Sequence, residues 1–157
     1  MSTYTTRTGI EKPATGTQSG TWGDTTNTNF DIIDTALNGI VTLNLSGTSS
    51  NLTTTDGTVT DGMNKMIICG GSPSGAHTIT VVPNDAEKIY FVTNNTTQSV
   101  IFSQGSGANA TVAASESRII HCDGAGSGAA VTDYTSTMAS STTFIDGQAT
   151  ALAIALG

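Results

Sequence analysis

The sequence predicts a mainly β protein: an antiparallel β-sandwich of jelly-roll type, with an extended N-terminal arm, a short helix after the arm and a short C-terminal helix. Three observations point there. Charged residues are only 11% of the 157-residue chain, and threonine alone is roughly a fifth of it. Thr is β-branched, while Ser, Asn and Gly leave helices for turns, so this composition favours strands. From Ile40 onward, short runs that alternate apolar with polar residues are separated by turn residues about every ten positions, the pattern of antiparallel sandwiches and barrels. No alternation of strands with long helical patterns appears, which argues against a βαβ sheet.

The chain divides into three parts. Residues 1–39 form the arm and helix. Pro13 and the glycines at 9, 16, 20 and 23 keep its start extended or looped. Asn29 is placed to cap a helix of about two turns in which Phe30, Ile33, Ala36 and Leu37 recur at spacings of three and four. Asp31 and Asp34 then fall in its first turns, where negative charge suits the helix dipole. Gly39 reads as the stop, through the left-handed conformation that glycine accepts.

Residues 40–135 form the β body. Val41, Leu43 and Leu45 alternate with polar residues, and strands are expected at 66–69, 78–82, 88–93, 99–103, 110–113 and 117–122. Turn signals between them include Asp56-Gly57, Asp61-Gly62, Ser74-Gly75, Asn94-Asn95 and Asp123-Gly124. The stretch Asn94–Thr97 is expected to close a hairpin. Cys69 and Cys122 sit in apolar runs, where a free thiol behaves as a small buried hydrophobe.

Residues 136–157 form the tail. Ile145, Ala149, Leu152 and Leu156 follow a 4-3-4 spacing, the seam of a short coiled-coil-like helix. A surface that apolar needs cover. Burial within the same chain and association of two or three tails both satisfy this need.

The composition excludes several classes of function. Net charge is −7, and the five basic residues are scattered rather than clustered, so a nucleic-acid surface is not expected. No run of about 18 apolar residues exists to cross a membrane. The first residues lack the apolar core of a secretion signal. Catalysis needs convergent titratable groups. His121 lies next to Cys122 and Asp123, but neighbours on a strand point to opposite faces. His77 follows a Ser-Gly turn and reads as exposed. Asp56 and Asp61 offer two carboxylates without the spacing of a calcium loop, and a turn accounts for them. The expectation is a protein that is not an enzyme and holds no metal or cofactor.

Two stretches carry a resemblance. Thr17-Gln18-Ser19-Gly20-Thr21-Trp22-Gly23, followed by Asn27-Thr28-Asn29-Phe30 and then Ala36-Leu37-Asn38-Gly39, is similar to a segment near the start of many tail-fibre proteins of tailed bacteriophages. Val82-Pro83, Lys88 to Thr97 and Ile119 to Gly124 resemble a β module of the same fibres. The order of the two matches as well, and together they cover roughly two-thirds of the chain. The resemblance implies a virion structural protein, made in the host cytoplasm and docked by its first segment to other virion proteins. A short fibre, spike or adaptor of the tail is the leading expectation, as a homotrimer. A capsid decoration protein is the alternative, and a module that binds host-surface glycans a third. Trp22, Gly23, Asn27, Asn29 and Phe30 are the candidate docking residues. Trp22, the single tryptophan, is a large aromatic suited to a partner's pocket. Many such fibres continue for hundreds of residues, so receptor recognition is not carried over.

Overall fold

The computed structural model describes residues 1–136. It is mainly β, as expected. A small hairpin, β1 (Thr3–Tyr4) with β2 (Glu11–Lys12), precedes the helix α1 (Trp22–Asn38). The body follows as β3 (Ile40–Thr53), β4 (Met66–Val82), β5 (Lys88–Asn94), β6 (Val100–Ser103), β7 (Ala110–Val112), β8 (Ser117–Cys122) and β9 (Val131–Asp133).

The expected strands are present, but the sheet is mixed rather than antiparallel. β3 pairs in parallel with β4 along nearly its whole length. The other edge of β4 is shared: its first half pairs in parallel with β5, and its second half with β6. The path from β5 to β6 is therefore one interrupted rung beside β4, and Asn94–Thr97 is no hairpin between them. β8 runs antiparallel on β5, β7 on β6, and β9 on β8. The seven strands make one sheet that curls nearly into a barrel. Backbone bonds from Gly107 to Ala129 and from Val131 to Ala108 tie its two ends together.

Alternation explains the core. Ile67, Cys69, Ile79 and Val81 of β4, Tyr90 and Val92 of β5, Val100 and Phe102 of β6, and Ile120 and Cys122 of β8 all point inward and are buried. Successive residues of a strand face opposite sides, so their neighbours face out. Ser74-Gly75, read from the sequence as a turn, lies within the bent middle of β4. The segment between β5 and β6 is held to the end of β7 by one side chain. This is Asn94, wholly buried: its amide nitrogen donates to the carbonyls of Gln98, Val112 and Ala113, and its oxygen accepts from the backbone and hydroxyl of Thr96.

The N-terminal part differs from expectation. The arm does not reach away. The Gly57 N–H donates to the Gly9 carbonyl, and Arg7 pairs with Glu87, so β1 and β2 lie on the body. α1 has 17 residues and starts at Trp22, with Asp24 in its first turn, not at Asn29. Asn29 is mid-helix, where its side-chain amide accepts from the Glu11 N–H and donates to the Glu11 carbonyl, both at 2.9 Å. Gly39 ends the helix in an extended conformation, with φ −63°. Glycine is needed there for closeness, not handedness. A Cβ would lie 2.4 Å from the Thr35 carbonyl oxygen and 2.5 Å from Asn64 Oδ1.

Candidate functional site

α1 lies with Ile32 inward, fully buried, while the periodic set read from the sequence faces out. Trp22 is 64% exposed, Phe30 63%, Ile33 37% and Leu37 65%. Residues three, four and eight apart share one helix face, so these four make a single apolar stripe. The spacing was legible and the side was not. A core-facing stripe was the natural expectation, yet α1 turns Ile32 inward and is tied to β2 by the amide of Asn29. Asn29 is therefore occupied within the chain. Asn27 and Gly23 are exposed, and a side chain at Gly23 would meet nothing within 4 Å.

The stripe runs into a groove of about 570 Å³ at the junction of helix and sheet. Its floor is a column of residues in register across four strands. Ile40 lies opposite Met66, Met66 opposite Phe91, and Phe91 opposite Ile119. Paired residues point to the same face of a sheet, so all four side chains project outward together. Leu37 forms one wall and Thr135 borders the other. Two cations stand at the rim. Lys65 Nζ is 5.8 Å from the centre of the Phe91 ring, and among the described residues no carboxylate pairs with it. Arg118 is held by Glu116 and by Asp133. Sequence reasoning missed the groove. The signal was there in Ile89-Tyr90-Phe91-Val92, a run apolar on both faces where a half-exposed strand would alternate.

The polar groups most suggestive of chemistry hold structure together. His77, expected to be exposed, is fully buried on β4. Its Nε2 is 2.9 Å from Ser50 Oγ and its Nδ1 is 3.3 Å from the Gly47 carbonyl oxygen. That is the skeleton of a serine–histidine pair, with a carbonyl in place of the orienting carboxylate. The bonds instead join β3 to β4 where their pairing shifts register between Gly47 and Ser49.

At the end of β8, His121 faces Tyr134, with ring centres 6.0 Å apart, while Cys122 points into the core. The two do not converge. Asp123 accepts from the N–H groups of Ala130 and Ala125, both at 3.0 Å, and these bonds hold its carboxyl below the ordinary range. It pins the glycine-rich loop rather than serving a site. Cys69 and Cys122 are free and buried, and burial pushes both thiols up to about 12. Asp56-Gly57 forms a tight turn closed by the Thr55–Thr58 bridge. Among the described residues no three His, Cys, Asp or Glu side chains gather as a metal site, and no helix is long and apolar enough to cross a membrane.

Ile145, Ala149, Leu152 and Leu156, the candidate oligomerisation seam, lie outside the described residues. Comparison with family models, curated proteins and solved structures finds no match for the chain.

Proposed function

We propose that this chain is a structural subunit of a tailed-bacteriophage virion: a short homotrimeric tail fibre, spike or adaptor, docked to other virion proteins through its N-terminal segment. One observation carries the reading. Trp22 and Phe30, which anchor the tail-fibre resemblance, are also the aromatic residues that α1 presents to solvent. A face of that kind lowers its free energy by entering a partner's pocket, and buried aromatics dominate such contacts. The hydrogen bonds from Asn29 to Glu11 support it further, because they fix the stripe's orientation before any partner arrives. A pre-set surface loses less conformational freedom on docking.

Immunogold labelling and protein composition of purified phage particles whose genome encodes the chain test this. A few copies at the tail are expected. Hundreds of copies on the head would make it a capsid decoration protein, and absence from the particles would end the virion reading altogether.

A further inference from the structure

We propose that the groove floored by Ile40, Met66, Phe91 and Ile119 seats the last full turn of α1, Ile33–Leu37, from a second copy of the chain, each copy giving one such turn and accepting one. The inference rests on the homotrimer of the reading above and says which surfaces build it.

Three observations favour a second copy as the occupant. The first is chemistry. The groove has an apolar floor with Lys65 at its rim, and among the described residues no carboxylate pairs with that cation. The turn of α1 has the matching pattern. Ile33 and Leu37 are exposed, and Asp34, also exposed, makes no ion pair among the described residues. Asp34 lies three residues before Leu37, so it flanks the stripe on the same side of the helix. Opposite charges at the edge of an apolar contact fix its register and exclude wrong partners.

The second is size. The floor crosses four strands about 4.8 Å apart, so it is about 14 Å wide. A helix with its side chains is about 10–12 Å across and fits that width. The third is placement. Leu37 belongs to both halves, since it ends the stripe and walls the groove. Adjoining giver and receiver surfaces bring the Leu37 side chains of all copies close to one axis. A head-to-tail contact about such an axis closes into a small ring. Every subunit is then held by two joints, while Trp22 and Phe30, nearer the start of the helix, are left for docking to other virion proteins.

Charge exchange tests this on the isolated full chain, by sedimentation velocity over a range of concentrations. The unaltered chain should sediment as a trimer in equilibrium with monomer. Lys65→Glu and Asp34→Lys should each raise the concentration needed for half association by about tenfold or more, because each sets like charges against one another. Both changes together should return it to within about threefold of the unaltered value, since the pair is restored with its signs exchanged. Ile40→Asp alters an exposed side chain, so the circular-dichroism spectrum should stay the same while association is lost. Association that ignores the single reversals and Ile40→Asp would overturn this contact and leave a homotrimer built on other surfaces. A double variant as weak as either single one would overturn it too. An unaltered chain that is monomeric throughout would end both the contact and the homotrimer.

Discussion

The side-chain nitrogen of Asn94 donates to the carbonyl of Val112 at 3.0 Å, joining the end of β5 to the end of β7 across the interior. The same amide serves two further carbonyls and accepts twice from Thr96, so five bonds depend on one side chain that has no contact with water.

Asn94→Ala should therefore be among the most damaging single substitutions in the body. Each buried polar group left without a partner costs about 1–3 kcal/mol, and several would be stranded together. A loss of at least about 3 kcal/mol is expected from urea unfolding. A loss below 1 kcal/mol would mean that the network contributes little.

Alkaline pH should weaken the fold through its two thiols. Burial raises the folded-state pKa of Cys69 and Cys122 from 9.0 to about 12. Their contribution is complete below pH 9 and is lost as pH rises from 9 towards 12, because the unfolded chain releases its thiol protons first. Each thiol should add a slope of about 1.4 kcal/mol per pH unit in that window. Urea midpoints measured from pH 8 to 11 will show it, and Cys122→Ala should reduce the steepness.

Trp22→Ala and Phe30→Ala should separate stability from assembly. Both side chains are largely exposed, so each change should alter unfolding free energy by no more than about 0.5 kcal/mol. Incorporation into particles should nevertheless fall sharply. Equal incorporation of both variants would remove the stripe from the docking surface.

Ser50 and His77 should behave as a structural pair. A fluorophosphonate probe is expected to leave Ser50 unmodified. His77→Ala should lower stability by about 2–4 kcal/mol, through the cavity and the hydroxyl and carbonyl it leaves behind. Rapid labelling of Ser50 that disappears in the His77 variant would instead reveal a nucleophile.

The strands were legible because alternation is local, and nearly every apolar run from Val41 to Cys122 became one. Their directions were not, since a residue's neighbours along the chain say nothing about which strand lies beside it. Met66–Cys69 and Thr78–Val82 looked like two strands because Ser74-Gly75 has turn chemistry, yet pairing with β3 carries β4 through the bend. The first turns of α1 were hidden by poor helix formers, Gly23, Thr25, Thr26 and Asn27, which tertiary contact overrides. At the candidate site, the helical spacing of Phe30, Ile33 and Leu37 showed which residues share a face. Whether that face meets the body or the solvent depended on the burial of Ile32 and on Asn29, whose partner Glu11 lies 18 residues away.

The parallel stacking of β3, β4 and the β5–β6 path has a consequence for how such a body can change size. Met66 follows Ile40, and Phe91 follows Met66, after roughly 25 residues each time. Each circuit of the chain therefore lays down one more layer on the last, with β7 and β8 as a reversed final course. A duplication of about one circuit would slot between existing layers and meet ready hydrogen-bonding partners above and below. Height can thus grow by whole storeys while the foundation and the roof stay as they are.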